Sequence, residues 1–310
     1  MKKILRQAFD SWLTITKLTI PALVLVKLLT WLDLIEVISK PFEPLMTVMG
    51  LPKELSLFWV TSMLTNIYAG VAVLVHLLPL TGPLDSAAAT VAGALVLIAH
   101  NLPVESAVCH AAGVSYLRVT IYRIAASFVY ATLIHLICRS TGWGAQPASI
   151  FIPVSVEHSP DWLPWLFSSL KTLTAMFFIV LFLLLFMTAI KKIGLLKIFS
   201  ALLSPLMRFS AISDKALLIT VIGMLVGLAY GGGLIIAQTR QNEISKIDVF
   251  GSITLLAVCH SILEDTILVS CIGGSLWGLL VGRLAFALAL TAILVRLARR
   301  KRGRVILLGR

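Results

Sequence analysis

The chain is 310 residues long, with 59% hydrophobic and 13% charged side chains, a formal charge of +12 and a mean hydropathy of +0.99. An ordinary soluble domain has about 25% charged residues. So little polar surface cannot clothe a water-facing exterior, which excludes a soluble enzyme, a disordered scaffold, a fibre and a disulfide-stapled secreted module, and leaves a polytopic membrane protein with room for about seven or eight segments.

Lys2, Lys3 and Arg6 precede an apolar run that Asp10 and Lys17 interrupt, and no small-residue cleavage site follows, so the first segment, about 11 to 38, is expected to stay as a membrane helix. Apolar stretches over about 55 to 80, 85 to 110 and 114 to 138 come next. From Thr141 to Pro164 there is no Lys or Arg; Pro147, Pro153, Pro160, Glu157, Asp161, Trp143, Trp162 and Trp165 read as a periplasmic linker at the aromatic interface. A segment at about 166 to 190 then runs inward to Lys191, Lys192 and Lys197. Seven of the 26 Lys and Arg residues (Arg296, Arg299, Arg300, Lys301, Arg302, Arg304 and Arg310) lie in the last fifteen positions. Anchoring on anionic lipid explains this basic tail without nucleic acid, and puts both termini on the cytoplasmic side of the membrane.

The two halves repeat. At an offset of 160 to 162, Glu43-Pro44-Leu45-Met46 falls on Ser204-Pro205-Leu206-Met207, Tyr68-Ala69-Gly70 on Tyr230-Gly231-Gly232, and His100, Glu105, Gly113 and Arg123 on His260, Asp265, Gly273 and Arg283. These residue types are scarce here, so their coincidence indicates duplication. Because the first copy starts inside and the second starts outside, the copies are expected to be inverted, as in many secondary transporters. The predicted divisions are a first repeat over 1–138, a linker over 139–165, an inverted second repeat over 166–297 and a basic tail over 298–310.

Inversion needs an odd number of crossings per copy, so one of four segments must be re-entrant. The choice falls on 55 to 80 and its mate 215 to 238, whose middles are polar or glycine-rich: Asn66 to Gly70, and Tyr230 to Gly233. Six spanning helices and two re-entrant hairpins result. Gly231, Gly232 and Gly233 are expected at a hairpin tip, where bare amides face a polar or anionic ligand, with a helix-packing patch as the alternative.

The chemistry concentrates in the next segment. His100-Asn101-Leu102-Pro103-Val104-Glu105 interrupts an apolar stretch, and Pro103 should kink or unwind it; the mate, His260-Ser261-Ile262-Leu263-Glu264-Asp265, lacks the proline. Each charged group at such depth costs about 2.5–3.5 kcal/mol on insertion scales, so Glu105, Glu264 and Asp265 require partners, protons or a hydrated cavity. Arg123 and Arg283 are the natural partners, structurally or as part of an ion route. His100, Glu105, His260 and Asp265, with Glu264 beside them, are assigned to proton or cation coupling. Asn66, Asn101, Ser261, Tyr68 and Tyr230 complete the expected substrate or ion site, the tyrosines by stacking or hydrogen bonding. A divalent-metal site with His260 and Glu264, four apart on one helical face, is the alternative; His100 and Glu105 are five apart, which supports it less. His76, His110, His135 and His158 have no mates and default to structural roles. Cys109, Cys138, Cys259 and Cys271 lack CxxC spacing and read as core residues.

Thr65-Asn66-Ile67-Tyr68-Ala69-Gly70, Ala99-His100-Asn101-Leu102-Pro103-Val104-Glu105, Leu228-Ala229-Tyr230-Gly231-Gly232-Gly233 and Cys259-His260-Ser261-Ile262-Leu263-Glu264-Asp265 together resemble the bacterial nucleoside-recognition, or Gate-domain, membrane proteins. That domain is similar to the transport core of concentrative nucleoside transporters and to the membrane part of GTPase-linked ferrous iron transporters. The resemblance implies transport, and assembly as dimers or trimers. No GxxxxGK[ST] P-loop accompanies it, and no G-x-S-x-G or HExxH motif suggests an enzyme. The expected protein is an all-α carrier that moves a small polar or anionic solute, nucleosides among the candidates, coupled to H+ or Na+ and without another cofactor. A divalent-metal permease and a non-transporting receptor or assembly partner are the alternatives.

Overall fold

The computed structural model describes residues 2–152, 161–194, 198, 201–203, 205, 209, 212–240 and 244–300. These residues are almost entirely helical; an isolated β-bridge joins Asp85 to Pro147. In chain order the principal helices are α1 (Lys2–Trp31), α2 (Leu55–Leu64), α3 (Ile67–Thr81), α4 (Ser86–Ile98), α5 (Leu102–Ala111), α6 (Tyr116–Thr141), α7 (Trp162–Lys192), α8 (Asp214–Val226), α9 (Leu228–Arg240), α10 (Lys246–Val258), α11 (Glu264–Ser270) and α12 (Arg283–Arg300). A π-helical turn, Trp277–Gly282, leads into α12.

Four stretches are long and apolar enough to cross a bilayer: Ile4–Trp31, Tyr116–Thr141, Trp162–Ile190 and Trp277–Arg300. The pair α4 and α5, bent by 41°, makes a fifth if counted as one span. The expected six spans are therefore reduced to four or five among the described residues, because α11 has only seven residues and does not complete a span after α10. The long helices show bare apolar side chains outward, such as Leu25, Leu133, Phe178 and Ile293. Such a surface suits lipid and not water. Inside them, Val71 to Val75 of α3, Ala89 to Ile98 of α4 and Asp248 to Val258 of α10 are buried on every side. Helices buried all round need no amphipathic face, which is why these read as continuous apolar runs.

The first helix runs 2–31 and not 11–38. Lys2, Arg6 and Asp10 are exposed, with Arg6 and Asp10 one turn apart, so these charges extend the helix at no burial cost. Beyond Trp31, Asp33 adopts a left-handed φ of 52° and the chain breaks into short turns at Ile35–Ser39, Lys40–Phe42 and Glu43–Val48. Trp12 of α1 donates Nε1–H to Leu173 of α7 at 2.8 Å, tying together the helices that open each half.

The helices α2 and α3 form a hairpin with its bend at Thr65 and Asn66. The extended Asn66 caps α3 by accepting the Ala69 amide at 2.9 Å. The arms touch where Gly70 meets Ser62; a Cβ on Gly70 would lie 1.7 Å from Ser62 Oγ. The second hairpin, α8 and α9, repeats the contact with the same spacing of eight: a Cβ on Gly231 would lie 2.4 Å from Gly223 Cα. Its bend falls at Gly227, whose φ of +117° few other residues tolerate. Gly231, Gly232 and Gly233 consequently lie inside α9 and not at the tip, which corrects the expectation made for them. Packing excludes side chains at two of the three: besides Gly231, a Cβ on Gly232 would meet Val108 Cγ1 of α5 at 2.4 Å, whereas Gly233 has open space.

Between the halves, α6 continues to Thr141 and α7 starts at Trp162, so the connection is shorter than 139–165. Its first part straps two distant ends together. Ser86 and Ala87 at the start of α4 donate amides to Gln146 and Gly144, and Phe151 donates to Cys271 beyond α11. Ser86 Oγ also reaches the Gly273 carbonyl at 3.1 Å. Pro153, Glu157, His158 and Pro160, and the tail from Lys301 to Arg310, lie outside the described residues.

Candidate functional site

Two broken helices meet at the centre. After α4 the chain leaves the helix at Ala99 to Asn101, and after α10 at Cys259 to Leu263. Each break turns on one left-handed residue, Asn101 (φ 48°) and Ser261 (φ 44°). Each is pinned by its hairpin: the Asn101 amide donates to Ser62 at 2.9 Å, and the Ile262 amide to Met224 at 2.8 Å. Pro103 occupies the first turn of α5, where a missing amide is harmless, and its ring sets the break by excluding the Ala99 carbonyl four residues back. The second break forms without a proline, so the common cause lies elsewhere.

That cause is a pair of fully buried arginines. Unwinding frees carbonyls that hydrocarbon cannot satisfy. Arg123 donates Nε to Ile98 at 2.9 Å and Nη2 to His100 at 3.0 Å; Arg283 donates Nε to Val258 at 2.9 Å and Nη2 to His260 at 3.0 Å. The two clamps match atom for atom at an offset of 160. The guanidinium fork suits two carbonyls at once in a way an ammonium does not.

Held this way, His100 and His260 come together with their rings tilted by 46° and ring centroids 5.1 Å apart. Their Nδ1 atoms lie 3.0 and 2.7 Å from the carbonyls of Val96 and Leu256. A carbonyl only accepts, so each Nδ1 holds the hydrogen, and a ring in its neutral form presents its Nε2 lone pair. The two Nε2 atoms are 3.3 Å apart, and Glu105 Oε1 lies 3.4 Å from one and 3.3 Å from the other. Glu105 Oε2 meets Arg123 Nη1 at 2.6 Å, a close ion pair without the alignment of a hydrogen bond. Asp265 Oδ2 is 3.6 Å from His100 Nε2 and has no hydrogen-bond partner. His100, Glu105, His260, Arg123 and Arg283 are all buried.

Several expectations need correcting. Glu264 does not join His260 as a ligand: its Oε1 takes the Tyr68 hydroxyl at 3.3 Å, and the group able to share one ion is His100, Glu105 and His260. The five-residue spacing of His100 and Glu105 counted against a metal on an unbroken helix; the left-handed turn at Asn101 removes that objection by re-aiming the two side chains. Arg123 pairs with Glu105 as expected, but no ion pair closes between Arg283 and Asp265, whose side chain is one carbon shorter and faces the other half's histidine. Asn66 is a helix cap; Asn101 and Ser261 act through their backbones. The Tyr230 side chain lies outside the described residues. His76 is 3.1 Å from Ser169 Oγ and His110 3.2 Å from the Val114 carbonyl, in keeping with structural roles.

Sequence reasoning missed Lys27, which is 6% exposed in an otherwise apolar stretch of α1 and lies 5.8 Å from the Trp162 ring. A lysine between Val26 and Leu28 was the available signal. It also missed Tyr130, whose hydroxyl donates to the Gly278 carbonyl in the π turn.

Apolar spanning helices around a buried ionisable centre make this an all-helical, multi-pass membrane protein. A relative from Bacillus subtilis (strain 168), described as "Uncharacterized membrane protein YvoD", is 28% identical over 300 residues, 94% of each chain. No family model and no solved structure matches the chain.

Proposed function

We propose that the chain is a secondary transporter of the bacterial inner membrane, with cytoplasmic termini, built from two inverted repeats of the Gate-domain type. Inversion is supported by the start of α4 lying against the end of α11 while the two breaks touch midway, as antiparallel copies require. The duplicated arginine clamps and left-handed turns support a common module. On this reading α2–α3 and α8–α9 are re-entrant hairpins, reaching partway across the core and holding the broken helices open.

One observation carries the functional reading. His100 Nε2, His260 Nε2 and Glu105 Oε1, drawn from both halves, converge, and with both imidazoles in the neutral Nδ1–H form all three are acceptors. Lone pairs so placed repel unless a cation stands between them. Glu105, Glu264 and Asp265 against Arg123 and Arg283 leave one surplus negative charge when the carboxyls are ionised and the imidazoles neutral. The pocket thus favours a cation at the junction that alternating access would open to either side. The expected activity is movement of a small polar or anionic solute coupled to H+ or Na+.

The test is uptake into proteoliposomes across a solute panel, with and without pH or Na+ gradients. Gradient-dependent uptake by wild type, abolished in His100→Ala and Asp265→Asn, is expected. Absence of uptake across the whole panel in folded protein would refute the reading. For inversion, single cysteines at Ala145 and Lys246, both exposed, should label from outside and inside respectively; labelling from one side overturns it.

A further inference from the structure

From the geometry of the central trio we infer a binding site for a first-row divalent transition-metal ion, with His100 Nε2, His260 Nε2 and Glu105 Oε1 as ligands. The inference rests on the carrier reading only in taking the ion as cargo; the site itself stands on distances. The three edges of the trio are 3.3, 3.3 and 3.4 Å. Tetrahedral zinc with ligands at about 2.0–2.1 Å separates neighbouring ligand atoms by about 3.3–3.4 Å, so the trio already has the size of one face of that tetrahedron. With both imidazoles neutral, three lone pairs meet at this separation, as they do on a coordination face.

The surroundings agree. A ligating histidine is normally fixed through its other nitrogen, and here both Nδ1–H groups are held by main-chain carbonyls one turn back. Glu105 is oriented through its second oxygen by Arg123, itself anchored on two carbonyls. The rigid shell keeps three ligands from two chain halves in register. Asp265 Oδ2, buried, without a hydrogen-bond partner and 3.6 Å from His100 Nε2, is the nearest donor for a fourth position. Two imidazoles with one carboxylate suit Zn2+, Fe2+, Co2+ or Mn2+, whereas Mg2+ and Ca2+ demand oxygen shells that this trio does not offer.

The probe is Co2+, titrated into the purified full-length protein in nanodiscs and read by its visible ligand-field bands. Wild type should bind one equivalent with the intense spectrum of a low-symmetry four-coordinate site. Zn2+ should displace it and excess Mg2+ should not. His100→Ala and His260→Ala should weaken binding on the order of 100-fold or more, and His110→Gln, outside the trio, should leave it unchanged. X-ray absorption on the wild-type Zn2+ complex, needing no variant, should show two imidazole ligands. Folded wild type that binds no Co2+ or Zn2+, a spectrum without imidazole ligation, or binding indifferent to both alanine variants would overturn the site. Metal binding without any uptake would sink the carrier reading alone; gradient-driven solute uptake by protein that binds no metal would sink this inference alone.

Discussion

Replacing Arg283 by lysine isolates the clamp from the charge. Arg283 is fully buried and donates from two different nitrogens to carbonyls two residues apart. Lysine retains the positive charge but has one ammonium at the end of its stem, so at least one carbonyl is stranded. A hydrogen bond to a charged group contributes about 1.5–3 kcal/mol, which sets the expected loss. Arg123→Lys forfeits the same geometry and also disturbs the 2.6 Å contact with Glu105; breaking a buried pair costs about 3–5 kcal/mol. The order of thermal stability should therefore be wild type, Arg283→Lys, Arg123→Lys. For a chain of this size each kcal/mol moves the midpoint by about 2–4 °C, with the low end applying here. A thiol-reactive dye is a suitable reporter, because Cys109, Cys138 and Cys259 are free and buried and react only on unfolding. An unshifted midpoint in Arg283→Lys, or equal shifts in the two variants, would refute the idea that these side chains hold the breaks open.

Two further outcomes are expected. Gly231→Ala should cost about 1–3 kcal/mol by overpacking, since its Cβ would stand 2.4 Å from Gly223 Cα. Gly233→Ala, with nothing within 4 Å, should be neutral or stabilising by about 0.5–1 kcal/mol through helix propensity; melting both variants decides between a packing role and a ligand-facing role for the triplet. At the exposed turn after α1, Lys53 donates to Glu36 at 3.0 Å and holds that carboxyl below its ordinary 4.5. A depressed carboxyl stabilises the fold above its ordinary pKa and loses that effect as pH falls through the lower folded value. Glu36→Gln should therefore narrow a slight acid-side difference in melting temperature and change nothing at neutral pH beyond the small loss of one exposed pair.

Much of the centre was legible because rare residues were informative. Histidine, arginine and acid recurring at one offset in apolar sequence pointed to His100, Glu105, Arg123 and their mates, and the structure brings them together. The hairpins were legible as interrupted apolar runs. Their bends were not: Asn66 announces itself as a cap, but Gly227 is one glycine in a stretch with three consecutive ones nearby. Local propensity marks the triplet as the weak point, and a tertiary contact, Gly231 on Gly223, overrides it. The length of α1 was misjudged for the opposite reason, since solvent-exposed charges extend a helix without any hydrophobic signature. Spacing rules failed at His100 and Glu105 because they presuppose an unbroken helix.

The two halves share the clamp but not the carboxylate. Arg123 and Arg283 make the same two hydrogen bonds, yet only Arg123 has a carboxylate against its remaining nitrogen; Nη1 of Arg283 is buried without a hydrogen-bond partner. Glutamate at 105 is long enough to touch its own half's arginine and both histidines, while Asp265 falls short of Arg283 and leans toward His100. An exact duplication would place the acceptors symmetrically about the histidine pair. The one-carbon difference instead gathers three groups around one junction, with Asp265 touching only His100 at 3.6 Å and Arg283 Nη1 left without a hydrogen-bond partner. On the proposed carrier reading such inequality serves release, because a cation leaving Glu105 would have Asp265 as its next buried anionic neighbour. Lengthening Asp265 to glutamate should let it reach Arg283, restore symmetry and tighten cation binding while slowing turnover, and measuring Co2+ affinity alongside uptake in that variant would separate the two effects.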